Sequence, residues 1–583
     1  MTLHVIDWII IAAYFVISLI IGLWFRKSAG KSLADFFLGG RKIPWLVAGV
    51  SMVATTFAAD TPLAITELVN QKGISGNWLW WNMLIGGMLT TFFFARLWRR
   101  ANVLTEIEFI ELRYGGKVAA WFRGFKSLYL GLFINTLVIA WVNLAMASIL
   151  QVFFGVSGWQ LFMYVGIAMI VASFYSSLSG LIGVAVTDAF QFVIAITGAI
   201  LLAVYVIGSP EVGGIHHLTQ ILPEKTLSFF PSIGQINTGN IGSIFSISIG
   251  TFLAYIAIQW WASWYPGAEP GGGGYIAQRM MSTKSEKHSL WATLFFQITH
   301  YVVRPWPWIM VGLATIVLYP GLPGAEKRLG YVMAIKDYMP TGLKGLMVVA
   351  MLAAYMSTIS TQLNWGASYI VNDFYKRFLV KSTESATQKK LVLAGRLVTI
   401  LLMILGLYVT TLVESISGVW KFLLECGAGL GLVLILRWYW WRINVWSEVV
   451  GTLSPFIFYG ISKLFFHWEF PISFFFTVGM TTVSWLIVTF LTKPENDEHL
   501  KEFINRVKPM GWWGELYEKF QIEKPVNTPL WYLFLSWISA IIMAYALLFA
   551  SGKFIFGFYQ SAFYWLIASI IGLFGLIIGM RKY

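Results

Sequence analysis

Ala353-Ala354-Tyr355-Met356-Ser357-Thr358-Ile359-Ser360-Thr361-Gln362-Leu363-Asn364 lies inside an apolar run that begins near Leu346. Four hydroxyl residues fall within the five positions from Ser357 to Thr361. On a helix, Ser357, Ser360 and Thr361 stand at i, i+3 and i+4 and share one face, with Ala354 one turn before them. Thr358 stands on the adjoining flank. A small residue followed by neutral oxygens offers what a hard cation stripped of water requires. The same residue types also act as glue between helices, since Ser and Thr bond across transmembrane interfaces. The turn alone leaves both readings open.

The composition puts this turn in a bilayer. Of 583 residues, 58% are hydrophobic and 12% charged, and the mean hydropathy is +0.71. No soluble domain is built that way. At ~20 apolar residues per span, the chain holds about fifteen candidate helices. The longest polar stretch, Lys493 to Asn527, is too short for a separate soluble domain. The single cysteine, Cys426, excludes an internal disulfide. Val5–Phe25 has no basic segment before it and no small-residue cleavage pattern after it, so it reads as a retained first helix.

The net charge of +14 is topological and implies no nucleic-acid partner. With the start of Val5–Phe25 outside, the basic clusters fall on one side. They are Arg26 to Lys42, Arg96 to Lys126, Lys376 to Lys390, Lys493 to Lys524 and Arg581-Lys582. The opposite loops hold few, Lys72, Lys225, Lys327, Arg328, Lys336 and Lys344 among them. This bias places the N-terminus outside, the C-terminus in the cytoplasm, and the chain in the cell membrane.

Helix two begins near Trp45 and clusters small and hydroxyl residues before Asp60-Thr61-Pro62. Pro62 clashes with the turn before it. The carbonyls around Ala54 to Ala58 are then freed toward a ligand or cavity, or the helix is merely kinked with Asp60 near the outer surface. Thr105 to Phe109 reads as a short surface helix. Helix four, Ser127 to Phe154, carries Asn135 and Asn143 but no arginine or lysine. Asp188 starts helix six, either as a functional intramembrane acid or as a first-turn acid complementing the helix dipole. His216-His217 reads as a solvated loop. Helix seven ends near Tyr265, and the glycine-rich stretch Gly267 to Gly274 lacks the features of a phosphate loop. Arg304-Pro305-Trp306-Pro307 marks a kink in helix eight. Lys421 and Glu425 stand at i, i+4 and read as a mutual pair. Four helices follow, near Val445–Phe465, Ile472–Leu491, Leu530–Ala550 and Phe563–Met580, with nothing in them that marks a site.

These residues resemble the sodium:solute symporter family. The resemblance is carried by Ala54 to Phe57 in a broken second helix and by Tyr175 to Asp188 around the loop after helix five. It continues in Tyr275-Ile276-Ala277-Gln278-Arg279 with Lys284 and Lys287, and in Ala353–Asn364 leading to Asn372-Asp373-Phe374-Tyr375-Lys376. It implies an all-α membrane protein of LeuT type, with two inverted five-helix repeats after one extra helix. In this numbering, residues 1–44 are the extra helix and its linker. Residues 45–207 and 241–438 are the repeats, 208–240 the loop between them, and 439–583 the accessory helices. Helix two and helix seven, each first in its repeat, are the interrupted ones, which points to a midplane site.

The resemblance also implies ligands. Carbonyls of Ala54, Phe57 and Ala354 and hydroxyls of Ser357 and Thr358 would hold one sodium ion, and neutral oxygens suit sodium rather than zinc or copper. In some members, notably sialic acid symporters, an acid and three hydroxyls hold a second sodium. They match Asp188, Ser357, Ser360 and Thr361. The solute cavity would be lined by Thr55, Thr56, Ala58, Asn135, Asn143, Gln259, Trp260 and Ser263. No arginine is apparent in these segments, so a neutral sugar or polyol is expected ahead of an amino acid or a sugar acid.

Two other classes were weighed. An intramembrane enzyme would need an HExxH, paired aspartates in facing spans or a Ser/His arrangement, and the spans carry none. A transporter-like sensor would need an output domain, and the chain after Phe563 runs only to Tyr583. The expectation is a multi-pass sodium symporter for a small solute, with no organic cofactor and no obligatory protein partner.

Overall fold

The structure, a computed structural model, describes residues 3–25, 38–176, 181–231, 247–380, 385–525 and 528–582. The expected inner loop around residues 177–180 and the side chain of Asp188 lie outside the described residues. The main helices are α1 (Val5–Phe25), α2 (Trp45–Thr55), α3 (Asp60–Lys72), α4 (Asn135–Phe154), α5 (Gly158–Ser176), α6 (Leu181–Ile207) and α7 (Ile247–Leu253). They continue with α8 (Gly274–Ser282), α9 (Pro305–Leu318), α10 (Leu343–Ser368), α11 (Ser385–Thr410), α12 (Ile416–Cys426) and α13 (Leu430–Tyr439). The last four are α14 (Val445–Leu464), α15 (Ile472–Leu491), α16 (Leu530–Ile555) and α17 (Tyr559–Met580).

Among the described residues, eight helices are long and apolar enough to cross a membrane, or ten if each of two bent pairs counts as one span. The expected count of about fifteen is not confirmed among these residues, where several apolar runs are bent or interrupted. Trp45–Thr55 and Asp60–Lys72 meet at 58°, and Ile416–Cys426 and Leu430–Tyr439 meet at 55°. π-helical turns interrupt others, at Thr90–Phe94, Tyr129–Ile134, Ala254–Gln259, Thr299–Val303 and Tyr369–Leu379. The turn at Thr299–Val303 lies where a proline kink was expected, and Pro305 follows it as the first residue of α9.

Two compact units form, each from three separated stretches. The first comprises Met1–Gly73, Arg123–Pro223 and Arg304–Val419. Its axis is α10, against which α1, α4, α5, α6 and α11 pack. The expected organising helix is thus the one most enclosed. Its N-terminal turn is held by α1: Asp7 Oδ1 accepts from Gly342 N at 2.7 Å and Gly345 N at 2.8 Å. An acid there complements the positive end of the helix dipole. At the other end Arg123 pairs with the buried Asp373.

The second unit comprises Ile74–Phe122, Glu224–Val303 and Trp420–Tyr583. In it α16 packs on α17, and α14 on α15. Contact between α16 and α17 is close because Gly572 carries no side chain, and a Cβ there would meet Met543 N at 2.6 Å. The stretch read as a surface helix is embedded instead. Helix Glu108–Arg113 buries Phe109, which stacks on Trp438 at 4.2 Å. Arg113 is fully buried and donates to the carbonyls of Arg437 at 2.7 Å and Ile443 at 2.8 Å. Those carbonyls end α13 and the turn after it, so the cation satisfies acceptors that the helix leaves orphaned. Lys421 and Glu425 are not the expected pair: Glu425 is buried and accepts from Ser473 Oγ at 2.7 Å.

Candidate functional site

The first unit contains both elements expected to hold sodium. Helix α2 stops where hydroxyls compete with backbone donors. Thr55 Oγ1 donates to Ser51 O at 2.7 Å, and Thr56 Oγ1 reaches Val53 O at 2.8 Å and Met52 O at 3.1 Å. Such back-bonding loosens the ladder. Phe57 N then closes a tight turn on Ala54 O at 3.0 Å, and α3 restarts at Asp60. Pro62 does not make the break, as its sequence position implied. It sits in the first turn of α3, where its missing N–H would have had no partner within the helix.

Ala54, Phe57, Ala354, Ser357, Thr358 and Ser360 are all buried, and Thr361 is half-buried. Helix α6 packs against both α2 and α10 and carries Asp188. Within α10, Thr358 Oγ1 donates to Ala354 O at 2.9 Å and Ser360 Oγ donates to Ser357 O at 2.9 Å. Each hydroxyl proton therefore points back along the helix. That leaves the oxygen lone pairs as an acceptor set, which fits a hard monovalent cation. The Phe57 ring is turned onto Trp308, centroids 5.5 Å apart, so only its backbone is offered to an ion.

The break holds a residue that the sequence reading took only for part of a kink. Arg304 is fully buried. Its guanidinium donates to Thr56 Oγ1 at 2.9 Å, Thr56 O at 3.0 Å and Val53 O at 3.2 Å. It lies over the rings of Trp308, at 5.1 Å, and Phe57, at 5.2 Å. Its charge also acts on Asp60, which the indole of Trp141 hydrogen-bonds. An arginine inside an apolar run was the available signal, since an intramembrane charge marks function by default.

The residues expected to line a solute cavity divide between the units. In the first, Asn135 Nδ2 donates to Gln362 O at 2.8 Å. Asn143 donates to Thr410 Oγ1 at 3.1 Å and accepts from Tyr355 OH at 2.8 Å. Both amides tie α4 to neighbouring helices. Ala58 is buried beside the break. In the second unit, Gln259 Nε2 donates to Leu79 O at 3.0 Å, Trp260 Nε1 to Ile256 O at 2.9 Å and Ser263 Oγ to Leu424 O at 2.9 Å. The donors are spent on the protein, but some acceptors are not. Asn135 Oδ1 and Gln362 Oε1 in the first unit, and Gln259 Oε1 in the second, are buried without a hydrogen-bond partner.

The model of the sodium:solute symporter family matches residues 36–454, most of the chain. The chain belongs to the sodium:solute symporter family. This symporter is 24% identical over 559 residues to sodium/glucose cotransporter 1 of Oryctolagus cuniculus, covering 84% of this chain and 80% of that protein. It is 23% identical over 483 residues to a sodium/mannose cotransporter of Bos taurus, covering 78% of each. It is 24% identical over 484 residues to a sodium/glucose cotransporter of Vibrio parahaemolyticus, covering 78% of this chain and 84% of that one. Among solved structures it shares the fold of a Na+-coupled sialic acid symporter, with a TM-score of 0.63 and 22% identity over 85% of this chain and 99% of that one. The symporter is a multi-pass membrane protein and not an enzyme.

Proposed function

We propose that this symporter imports a neutral sugar or polyol with sodium, by alternating access. The observation that carries the solute class is a pair of buried, unpartnered amide oxygens in the first unit, Asn135 Oδ1 and Gln362 Oε1. An orphaned buried acceptor is costly until a donor meets it. A polyol meets them with hydroxyl donors alone, whereas an amino acid or a sugar acid also brings a carboxylate that needs a cation or a helix end of its own. Arg304, the arginine beside the break, is engaged with backbone and Thr56 rather than turned to a carboxylate. The glucose and mannose in the names of the relatives agree with this class.

Sodium is carried by Ala54, Phe57 and Ala354 carbonyls and by Ser357 and Thr358 hydroxyls. The burial of these residues and the donation of the Thr358 hydroxyl proton back to Ala354 O support that assignment. A second ion sits at Asp188, Ser357, Ser360 and Thr361. Sodium enters from outside, where the N-terminus lies, and stabilises the outward-open state. Solute binds, the outer path closes, and both leave inside. Each sodium is driven by about 2.3 kcal/mol per 100 mV, more than the ~1.4 kcal/mol that a tenfold solute gradient requires.

The test is sodium-dependent uptake in proteoliposomes across neutral sugars, polyols, amino acids and sugar acids. Uptake confined to carboxylates would overturn the solute class. In the same assay Ser357→Ala or Thr358→Ala raises the half-saturating sodium, and unchanged values in both variants discard the first ion site. A Hill coefficient of one with saturating solute and clamped voltage discards the second.

A further inference from the structure

Breaking a helix inside a membrane exposes two ends of opposite polarity. The C-terminal end of α2 presents carbonyls and carries the negative end of its dipole, while the N-terminal end of α3 carries the positive end. In this symporter both are met from within the chain. Asp60 opens α3, and Arg304 delivers a guanidinium to the α2 end from α9, about 250 residues away in sequence. Three oxygens converge on that cation, Val53 O, Thr56 O and Thr56 Oγ1, and two aromatic faces flank it. Neutral oxygens around one positive charge, walled from solvent, are the surroundings a bound inorganic cation would have. Here the cation is tethered to the protein.

We propose that Arg304 is the resident cation of the α2–α3 break, a positioning residue that fills a cation position with a side chain and so holds the Ala54 and Phe57 carbonyls in register for transported sodium. The proposal rests on the assignment of those carbonyls to sodium. Phe57 links the two roles: its ring lies under the guanidinium, and its N–H closes the turn on Ala54 O. Without the guanidinium, Val53 O and the Thr56 oxygens lose their charged donor, and the angle at which the Ala54–Phe57 turn leaves α2 is held only by the turn's own hydrogen bonds and the Phe57 ring on Trp308. Sodium then meets ligands that must be ordered at its own expense. The position admits one cation, so the break contributes no additional transported ion while Arg304 is in place.

The experiment uses the full-length symporter in proteoliposomes. Arg304→Ala is expected to raise the half-saturating sodium by about tenfold or more, the size expected from losing charge-assisted hydrogen bonds in a buried site. The solute KM at saturating sodium should move far less. Millimolar guanidinium ion, added as the chloride, should return the sodium dependence of Arg304→Ala toward wild type and leave wild type and Ser357→Ala unaffected. A purely structural arginine would give lost protein or lost turnover without that rescue. Unchanged sodium dependence in Arg304→Ala, or a raised requirement that guanidinium does not lower, overturns the proposal. If the alanine variant is not produced, Arg304→Lys decides. It keeps the charge but not the fork, so a raised sodium requirement supports the proposal and a wild-type value overturns it. Ser357→Ala is measured alongside. A changed sodium dependence there with none in the Arg304 variants overturns this proposal alone. The reverse, with guanidinium rescue and with Thr358→Ala unchanged as well, overturns the sodium-ligand assignment and leaves Arg304 as the resident cation.

Discussion

The break between α2 and α3 in the first unit and the break between α12 and α13, which meets the end of a helix at Ala262 in the second, solve one problem in two ways. Both leave backbone groups unpaired away from water. In the second unit the backbones satisfy each other. Gly429 N donates to Ala262 O at 2.9 Å, Trp264 N reaches Gly427 O at 3.4 Å, and Ser263 Oγ adds a bond to Leu424 O. That exchange requires close approach, and glycine permits it. Gly429 has φ +95, and a Cβ there would lie 2.5 Å from Thr481 Cβ. In the first unit one charged side chain does the work, through Arg304. The backbone exchange is neutral and indifferent to ions. The guanidinium is a positive charge beside the proposed sodium ligands, so a sodium ion that binds there is repelled by it while gaining the carbonyls that it holds in register. The difference assigns rigidity to one break and ion sensitivity to the other.

The largest expected effect comes from removing that charge. Arg304→Met leaves three acceptors at the α2 end without their charged donor, which costs roughly 3–5 kcal/mol. Thermal unfolding in detergent should show the loss, and added sodium should recover less of the stability than it does in wild type. Equal sodium stabilisation in variant and wild type would remove the contrast between the breaks.

Gly429→Ala tests the other side. A side chain at positive φ that also meets Thr481 costs about 2–3 kcal/mol. Protein that still reaches the membrane should keep the wild-type half-saturating sodium. A shift there would mean that the second break also reads the ion.

The smallest effect is expected at the N-terminal end of α10. Asp7→Asn keeps an acceptor for Gly342 N and Gly345 N but removes the charge that complements the helix, at about 1 kcal/mol. The sodium requirement should rise slightly, because α10 carries Ser357 and Thr358. No change in either unfolding temperature or sodium dependence would show that the α1 anchor is independent of the ion site.

Much of this protein is legible in local sequence, and for a physical reason. A bilayer demands long apolar runs, so Val5–Phe25, Ile472–Leu491 and the helices near residues 530 and 560 are visible from composition alone. The hydroxyl turn of α10 and the interruption after Thr55 are also local patterns, and each is where the residues place it. Eight to ten clear spans stand among the described residues, and hydropathy does not see a turn such as Gly427–Gly429 inside an apolar run. Partnership is not local. Phe109 reads as part of a surface helix until Trp438 is set against it. Asn143 reads as a solute ligand, and nothing beside it in the sequence names its partners Tyr355 and Thr410. Arg304 is visible in the sequence as a charge among apolar residues, but nothing near it names Val53 or Thr56. Those residues meet only because α9 packs on α3 and α6 while α6 packs on α2. The sequence by itself determined the class, the longest apolar spans and the oxygen-rich turn, because the solvent imposes those on every residue in order. Only tertiary structure decided which charge closes the break, because a buried cation is stabilised by whichever carbonyls packing brings within about 3 Å.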